Sequence, residues 1–453
     1  MAIPNSPEAR DVAFHFHGYT NAKKHLDTGP MVISRGDGVF VFDENGNRYL
    51  EAMSGLWSVG LGFSEQRLIA AATKQLNTLP YYHNFSHKSH KPAIELAEKL
   101  ISLSPVSMSK IFYTNSGSEA NDTILKMVWY RANAMGTPKK KKVISRLRGY
   151  HGVTLASASL TGLPANHQSF DLPIANVLHT ICPHYRKEGR SGESEEQFAS
   201  RCAEALEALI LAEGAETIGA FFAEPIMGAG GVIVPPATYW SKIQAVLSKF
   251  DILLVADEVI CGFGRTGKMF GSETFGITPD IIVMSKQITS SYFPLSAIMI
   301  NDRVFEPIAQ ESGRLGVLGH GFTGGAHPVG AAIAAENIKI IEERDLISHV
   351  AEVGAQLMKG LLAFESHPLV TEARGRGLLA ALELGASDDE KFSPGTLGTK
   401  MNEILTGNGV ISRNMVDAMA LCPPMIITPS EVDHILDVFE KSLSELQIFG
   451  AAL

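Results

Sequence analysis

The chain has 453 residues, 45% of them hydrophobic and 19% charged, a balance that suits a globular protein with one large domain and a smaller one packed on it. Its 39 Lys and Arg against 48 Asp and Glu give a formal net charge of −9 and a pI near 5.9, the opposite of a nucleic-acid-binding footprint. No apolar run reaches the ~18 residues of a membrane span, and the opening MAIPNSPEARDVAFHFHG lacks the apolar centre of a secretory leader.

Four scattered cysteines, Cys182, Cys202, Cys261 and Cys422, form no CxxC pair. They are expected to be free thiols in a reducing cytoplasm. In that setting the glycosylation-type triplets at Asn84 and Asn121 read as chance matches.

In chain order, residues 39–52 place an Asn45-Gly46 turn between two strand-forming runs and predict a hairpin. Helical spacing follows at 64–79 and 92–104. From about residue 111, short apolar strands (IFYTN, KVISR, IGAFFAEP, ILLVADEV, DIIVMSK, LSAIMI) alternate with helical stretches beginning at EANDTILK, EEQFASRC and TYWSKIQA. Such alternation predicts a mainly parallel sheet covered on both faces, with ligands beyond the carboxyl ends of its strands. The basic run Lys139 to Lys142 reads as a solvated loop ahead of a strand. Beyond a helix at 328–344, the pattern of helix (345–365), strands and helix (429–447) suggests a second α/β lobe. The division expected is 1–60 as an N-terminal segment and hairpin of the small domain, 61–330 as the large domain, and 331–453 as the remainder of the small one.

Three strand ends carry chemistry. After the strand ending at Thr114, the turn Asn115-Ser116-Gly117-Ser118-Glu119 opens a helix whose free N–H groups suit a phosphate; an ordinary N-cap by Ser116 or Ser118 is the plainer reading. Asp257 ends another apolar strand, where it either caps a turn or holds a heterocyclic nitrogen in its protonated form. Lys286 ends a third, as a solvent-reaching charge or as a nucleophilic amine. Together, a phosphate cradle, a carboxylate and an amine are what pyridoxal phosphate requires. GFGRTG, at 262–267, matches the GxGxxG of a dinucleotide turn but follows its strand too late and precedes a poor helix, so a nicotinamide enzyme is a distant alternative.

Along nearly its whole length the sequence resembles the class III pyridoxal-phosphate aminotransferases, in particular the amine:pyruvate or ω-transaminases. The resemblance rests on SGLW (54–57), YTNSGSEANDT (113–123), GYHGVT (149–154), AEPIMGAGGVIVPP (223–236), ADEVICGFGRTG (256–267), SK (285–286) and GHGFTGGAHP (319–328). It implies the α/β fold type I, with a mainly parallel large-domain sheet and a smaller α/β domain from both chain ends. Lys286 would form the Schiff base with the cofactor and shuttle the proton, while Asp257 would pair with the pyridine nitrogen. Tyr150 and Val259 would sit on the two faces of the ring. Gly117 and Ser118 would bind phosphate, joined by Thr323 of the partner subunit; His151, Glu224 and Phe322 would complete the cofactor's surroundings. Tyr19, Trp57, Phe85 and Tyr150 would line the amine pocket, and Arg413 would bind a substrate carboxylate. A homodimer, or a tetramer of dimers, with sites at the subunit interface is implied.

The implied reaction moves an amino group from an ω-amine donor to pyruvate or a related keto acid. A β-alanine, taurine or 4-aminobutyrate aminotransferase and a related aminomutase are the alternatives. Two positions depart from the family's pattern: Gln287 stands where glycine is usual after the lysine, and Gly324 where a larger residue is common, a change expected to widen the site.

Overall fold

The computed structural model describes residues 5–385 and 392–452; the first four residues of the opening stretch lie outside them. Every apolar strand named from the sequence joins one seven-stranded sheet. Its spatial order is Lys110–Thr114, Ser296–Ile300, Ile281–Met284, Leu253–Asp257, Ile218–Ala223, Lys142–Arg146 and Val177–Thr180. Ser296–Ile300 is antiparallel to both neighbours, and the other pairings are parallel.

The central strands are buried at every position because both faces are covered. On one face Phe222, Val255 and Val283 pack with Ile124 and Val128 of the helix Gly117–Ala134. On the other, Phe221 and Leu254 meet Phe198 and Leu206 of Glu195–Glu213 and Trp240 and Ile243 of Tyr239–Lys249. Neighbouring residues on one strand thus serve opposite cores, as the two-residue period of a strand demands.

The expected hairpin forms from Phe40–Asp43 and Arg48–Glu51, and the Asp43 carboxylate accepts the N–H groups of Asn45 and Asn47 at 2.9 Å to close its turn. Its sheet also takes Ile33–Asp37 and, in parallel, Val410–Ile411, so segments from near both chain ends meet there. A third, antiparallel sheet holds Val370–Gly375, Ala380–Leu384, Ala418–Leu421 and Arg413–Met415. Helices Pro328–Glu343, Leu346–Ala363 and Pro429–Ala452 match the expected positions.

Three features differ from the sequence expectation. Val177–Thr180 is a sheet-edge strand, and Asp302–Leu315 is a helix despite Pro307 inside it; neither was predicted. The lysine run is tied down, not merely solvated. Lys140 pairs with Asp251 at 3.2 Å, Lys142 pairs with Glu213 at 2.6 Å, and the Lys141 ammonium donates to the Trp129 carbonyl.

Candidate active site

Parallel topology brings the chemistry to one sheet edge. In register, Ala223 faces Ala256 and Asp257 faces Val283, so Glu224, Asp257 and Lys286 leave three adjacent strands side by side. With Gly117, Ser118, Trp57, Tyr150 and Arg413, they line a cavity of about 310 Å³.

Lys286 begins a single 3₁₀ turn, Lys286–Thr289, at φ +48°, a left-handed conformation costly for a residue with a side chain. Its ammonium has no hydrogen bond or ion pair among the described residues. Burial pushes this amine below the usual lysine range, while the Asp257 and Glu224 carboxylates pull it back upward.

Asp257 is buried and held at three points. Its Oδ2 accepts from Asn121 Nδ2 at 2.9 Å and faces His151 Nδ1 at 2.8 Å; its Oδ1 accepts the Val259 N–H at 3.2 Å. Glu224, also buried, makes no ion pair among the described residues. It accepts the backbone N–H groups of Tyr150 (3.0 Å) and Gly228 (2.9 Å), fixing the segment that carries the tyrosine.

Ser116 is the N-cap of the helix Gly117–Ala134, accepting the Glu119 N–H at 3.2 Å. That leaves the Gly117 and Ser118 N–H groups without partners among the described residues, at the positive end of an 18-residue helix. Ser118 Oγ accepts the Val153 N–H at 3.1 Å, which leaves its own proton to donate. A Cβ at Gly152 would lie 2.5 Å from Ser118 Oγ, and one at Gly117 would lie 3.1 Å from Val259. Both glycines keep this cradle open.

Tyr150 receives a 3.4 Å hydrogen bond from the Tyr19 hydroxyl, which in turn accepts from Asn166 at 2.7 Å. Burial, and then that contact, raise the Tyr150 phenol above its ordinary range. The Arg413 guanidinium has no carboxylate partner among the described residues. Sequence reasoning missed Asn121, Gly152 and Leu56. All three lie inside stretches that carry the resemblance, Leu56 in SGLW, Asn121 in YTNSGSEANDT and Gly152 in GYHGVT.

Phe85 and Phe322 lie elsewhere. They line a separate cavity of about 950 Å³ that shares no residue with the first, and Thr323 follows on an exposed turn whose carbonyl accepts from the Tyr81 hydroxyl at 2.9 Å. Within one chain, then, these three do not join Lys286. Gly324 gives its space to Asn115, whose Oδ1 would lie 2.8 Å from a Cβ there, and it does not line the Lys286 cavity of its own chain. Gln287 is buried against Gly60, where a Cβ would collide with its amide, and the Asn337 amide holds its carbonyl at 2.8 Å.

GFGRTG serves packing. Gly264 (φ +98°) and Gly267 (φ +81°) make the bends, and buried Arg265 donates to the Pro423 carbonyl and to Ser54 Oγ. The following helix, Gly271–Phe275, has its first N–H groups taken by Glu258 at 2.9 and 2.6 Å, so a pyrophosphate has no donors there.

An unpartnered buried amine, a fixed carboxylate on the adjacent strand and a helix N-terminus with free donors on one cavity fit pyridoxal phosphate in all three of its needs. The chain matches the family model "Aminotransferase class-III" over residues 21–443. It is 47% identical over 433 residues to the mitochondrial gamma aminobutyrate transaminase 1 of Solanum lycopersicum, covering 95% of this chain and 84% of that one. The crystal structure of an omega transaminase from Pseudomonas jessenii in complex with PMP superposes with a TM-score of 0.97 at 58% identity, over 98% of this chain and 99% of that one. A transaminase solved with L-alanine gives a TM-score of 0.91 at 59% identity, over 92% and 99%. Family, fold and donor set agree, and the chain belongs to the class III aminotransferases, fold type I enzymes that depend on pyridoxal phosphate.

Proposed function

We propose that this aminotransferase moves the amino group of an ω-amine donor to pyruvate or a related keto acid, releasing a ketone or aldehyde and forming alanine in the pyruvate case. The observation that carries the reading is Arg413: a guanidinium with no carboxylate partner among the described residues, on a cavity whose lining also includes the apolar side chains of Leu56, Trp57, Val259 and Ile260. A planar fork of donors suits the carboxylate of a keto acid, and the apolar wall suits the uncharged body of an amine. The 58% identity to proteins named omega transaminases supports it.

When bound, pyridoxal phosphate supplies a carbonyl that captures the amine and a ring that accepts the electron pair left when the donor C–H bond breaks. The chain's own residues do the rest. Lys286, its amine already biased toward neutrality by burial, holds the cofactor and carries the proton from the substrate carbon. Asp257, steadied by Asn121 and His151, keeps a proton on the ring nitrogen. Gly117 and Ser118 donate to the phosphate. Tyr150 and Val259 flank the ring, and Glu224 holds the Tyr150 backbone. His151 acts through Asp257. Trp57 and Tyr19 shape the amine pocket.

We further propose a cytoplasmic homodimer, or a tetramer of such dimers, in which Phe85, Phe322 and Thr323 complete the partner's site. That none of the three lines the Lys286 cavity of its own chain supports this. Among the described residues no helix is long and apolar enough to cross a membrane.

A second reading, a 4-aminobutyrate-type donor, rests on the 47% identical relative named a gamma aminobutyrate transaminase. Purified protein should absorb visibly, lose that absorption with an amine donor and regain it with pyruvate; Lys286→Ala should abolish the cycle. A panel of arylalkylamines, β-alanine, taurine and 4-aminobutyrate with pyruvate separates the readings. Turnover confined to the ω-amino acids would overturn the first.

A further inference from the structure

Residues 11–25 gather four potential metal ligands that the aminotransferase site does not use. Asp11 sits in the helix Pro7–Phe14, which His15 caps, and His15 Nδ1 lies 3.0 Å from Asp11 Oδ1. His17 Nε2 lies 2.7 Å from Asp11 Oδ2. His25, in the last turn of Ala22–Thr28, brings its Nε2 to 3.0 Å from the same oxygen. The three histidines line a cavity of about 260 Å³.

Three imidazoles around one carboxylate exceed what an ion pair uses. Their ring centroids stand only 4.2 Å (His15 to His17) and 4.4 Å (His17 to His25) apart, so a second protonated ring would repel the first at close range. Neutral rings instead each offer a lone pair. The ligand atoms of Asp11, His15 and His17 all lie within 4.8 Å of one another. Four ~2.1 Å bonds in a tetrahedron set ligand atoms roughly 3.4 Å apart, so side-chain rotation would have to bring these atoms to that spacing. His25 Nε2, 3.0 Å from Asp11 Oδ2, lies outside that three-residue group and would move toward it to supply the fourth donor.

We propose that Asp11, His15, His17 and His25 form a binding site for a borderline divalent transition-metal cation of the zinc type. Imidazole donors select such ions over magnesium and calcium, which take oxygen ligands. The bound ion would staple residue 17 to residue 25 across the loop that carries Tyr19, whose hydroxyl reaches Tyr150 at the cavity.

The test uses untagged holoenzyme, treated with EDTA, incubated with equimolar zinc chloride and passed through gel filtration. We expect about one zinc per chain by elemental mass spectrometry and slowed amide exchange within residues 11–25, with no retention from magnesium chloride. The double variant Asp11→Ala/His17→Gln should lose the zinc while keeping the cofactor's visible absorption. Should that variant fold poorly, His25→Gln decides, with at least about tenfold weaker zinc binding expected. Wild-type protein that retains no more zinc than these variants overturns the proposal. So does zinc that leaves exchange across residues 11–25 unchanged.

Discussion

Asn121 looks dispensable in sequence, a polar residue on an otherwise apolar helix face inside a chance glycosylation triplet. In the structure it is only 1% exposed, beyond the reach of any glycan, and one amide group donates to both the His151 carbonyl (2.8 Å) and the Asp257 carboxylate (2.9 Å). Removing a donor from two buried acceptors costs about 1–3 kcal/mol. Since one of those acceptors is the proposed partner of the pyridine nitrogen, part of the loss should appear as weaker cofactor binding. Asn121→Ala should raise the dissociation constant for pyridoxal phosphate by about tenfold, measured by fluorescence titration of the apoprotein; an unchanged constant with lowered thermal stability would make Asn121 a packing residue only. The contrast with its neighbours shows what a sequence can disclose. Lys286, Asp257 and Glu224 are charges that end apolar strands, where topology already predicts a ligand. Asn121 acts across 136 residues of chain onto Asp257, and nothing in its local pattern points there.

Elements were legible where burial forced the pattern. Ile218–Ala223, Leu253–Asp257 and Ile281–Met284 are apolar because both faces are covered. Val177–Thr180 escaped notice because an edge strand of four residues with a half-exposed His179 needs no apolar run. Asp302–Leu315 was hidden by Pro307, which sits in the helix's second turn. GFGRTG misleads for a related reason: glycines report bends, and only the neighbouring element tells what the bend is for. Here that element is Gly271–Phe275, capped by Glu258, and the cap has a thermodynamic consequence. Glu258 is fully buried, and burial raises its carboxyl from 4.5 to about 7, against the three hydrogen bonds it accepts from Gly271 and Ser272. The folded state therefore keeps a proton that the unfolded chain releases near pH 4.5. Stability from this group is fully present below that pH and is lost as pH rises through about 7. Glu258→Gln cannot titrate. Relative to the variant, wild-type protein should lose on the order of 1–3 kcal/mol between pH ~5 and ~8, read from urea midpoints at each pH. A gap that does not vary with pH would mean that Glu258 stays ionised.

The whole molecule poses a question no single chain answers. Three residues carried over from the family's pattern, Phe85, Phe322 and Thr323, lie outside the cavity of Lys286. Their motifs were readable in the sequence, and the family resemblance assigned Thr323 to the partner's site; for Phe85 and Phe322 it named no subunit, since chain order carries no record of a two-fold axis. In the proposed dimer each site takes Lys286 from one protomer and Thr323 from the other, so the two functions can be separated by mixing chains. Lys286→Ala removes the amine. Thr323→Ala should weaken cofactor binding and lower activity when pyridoxal phosphate is limiting. A mixed dimer holds one doubly damaged site and one in which both residues are native. After unfolding and refolding an equal mixture, half of the dimers are mixed and one site in each is intact, so activity should recover to roughly a quarter of wild type at limiting cofactor. If Thr323 instead served its own chain, no intact site would arise, and the mixture would do no better than the average of the two variants. Size-exclusion chromatography with light scattering fixes the assembly state of the same samples, so failure to recover can be told apart from failure to reassemble.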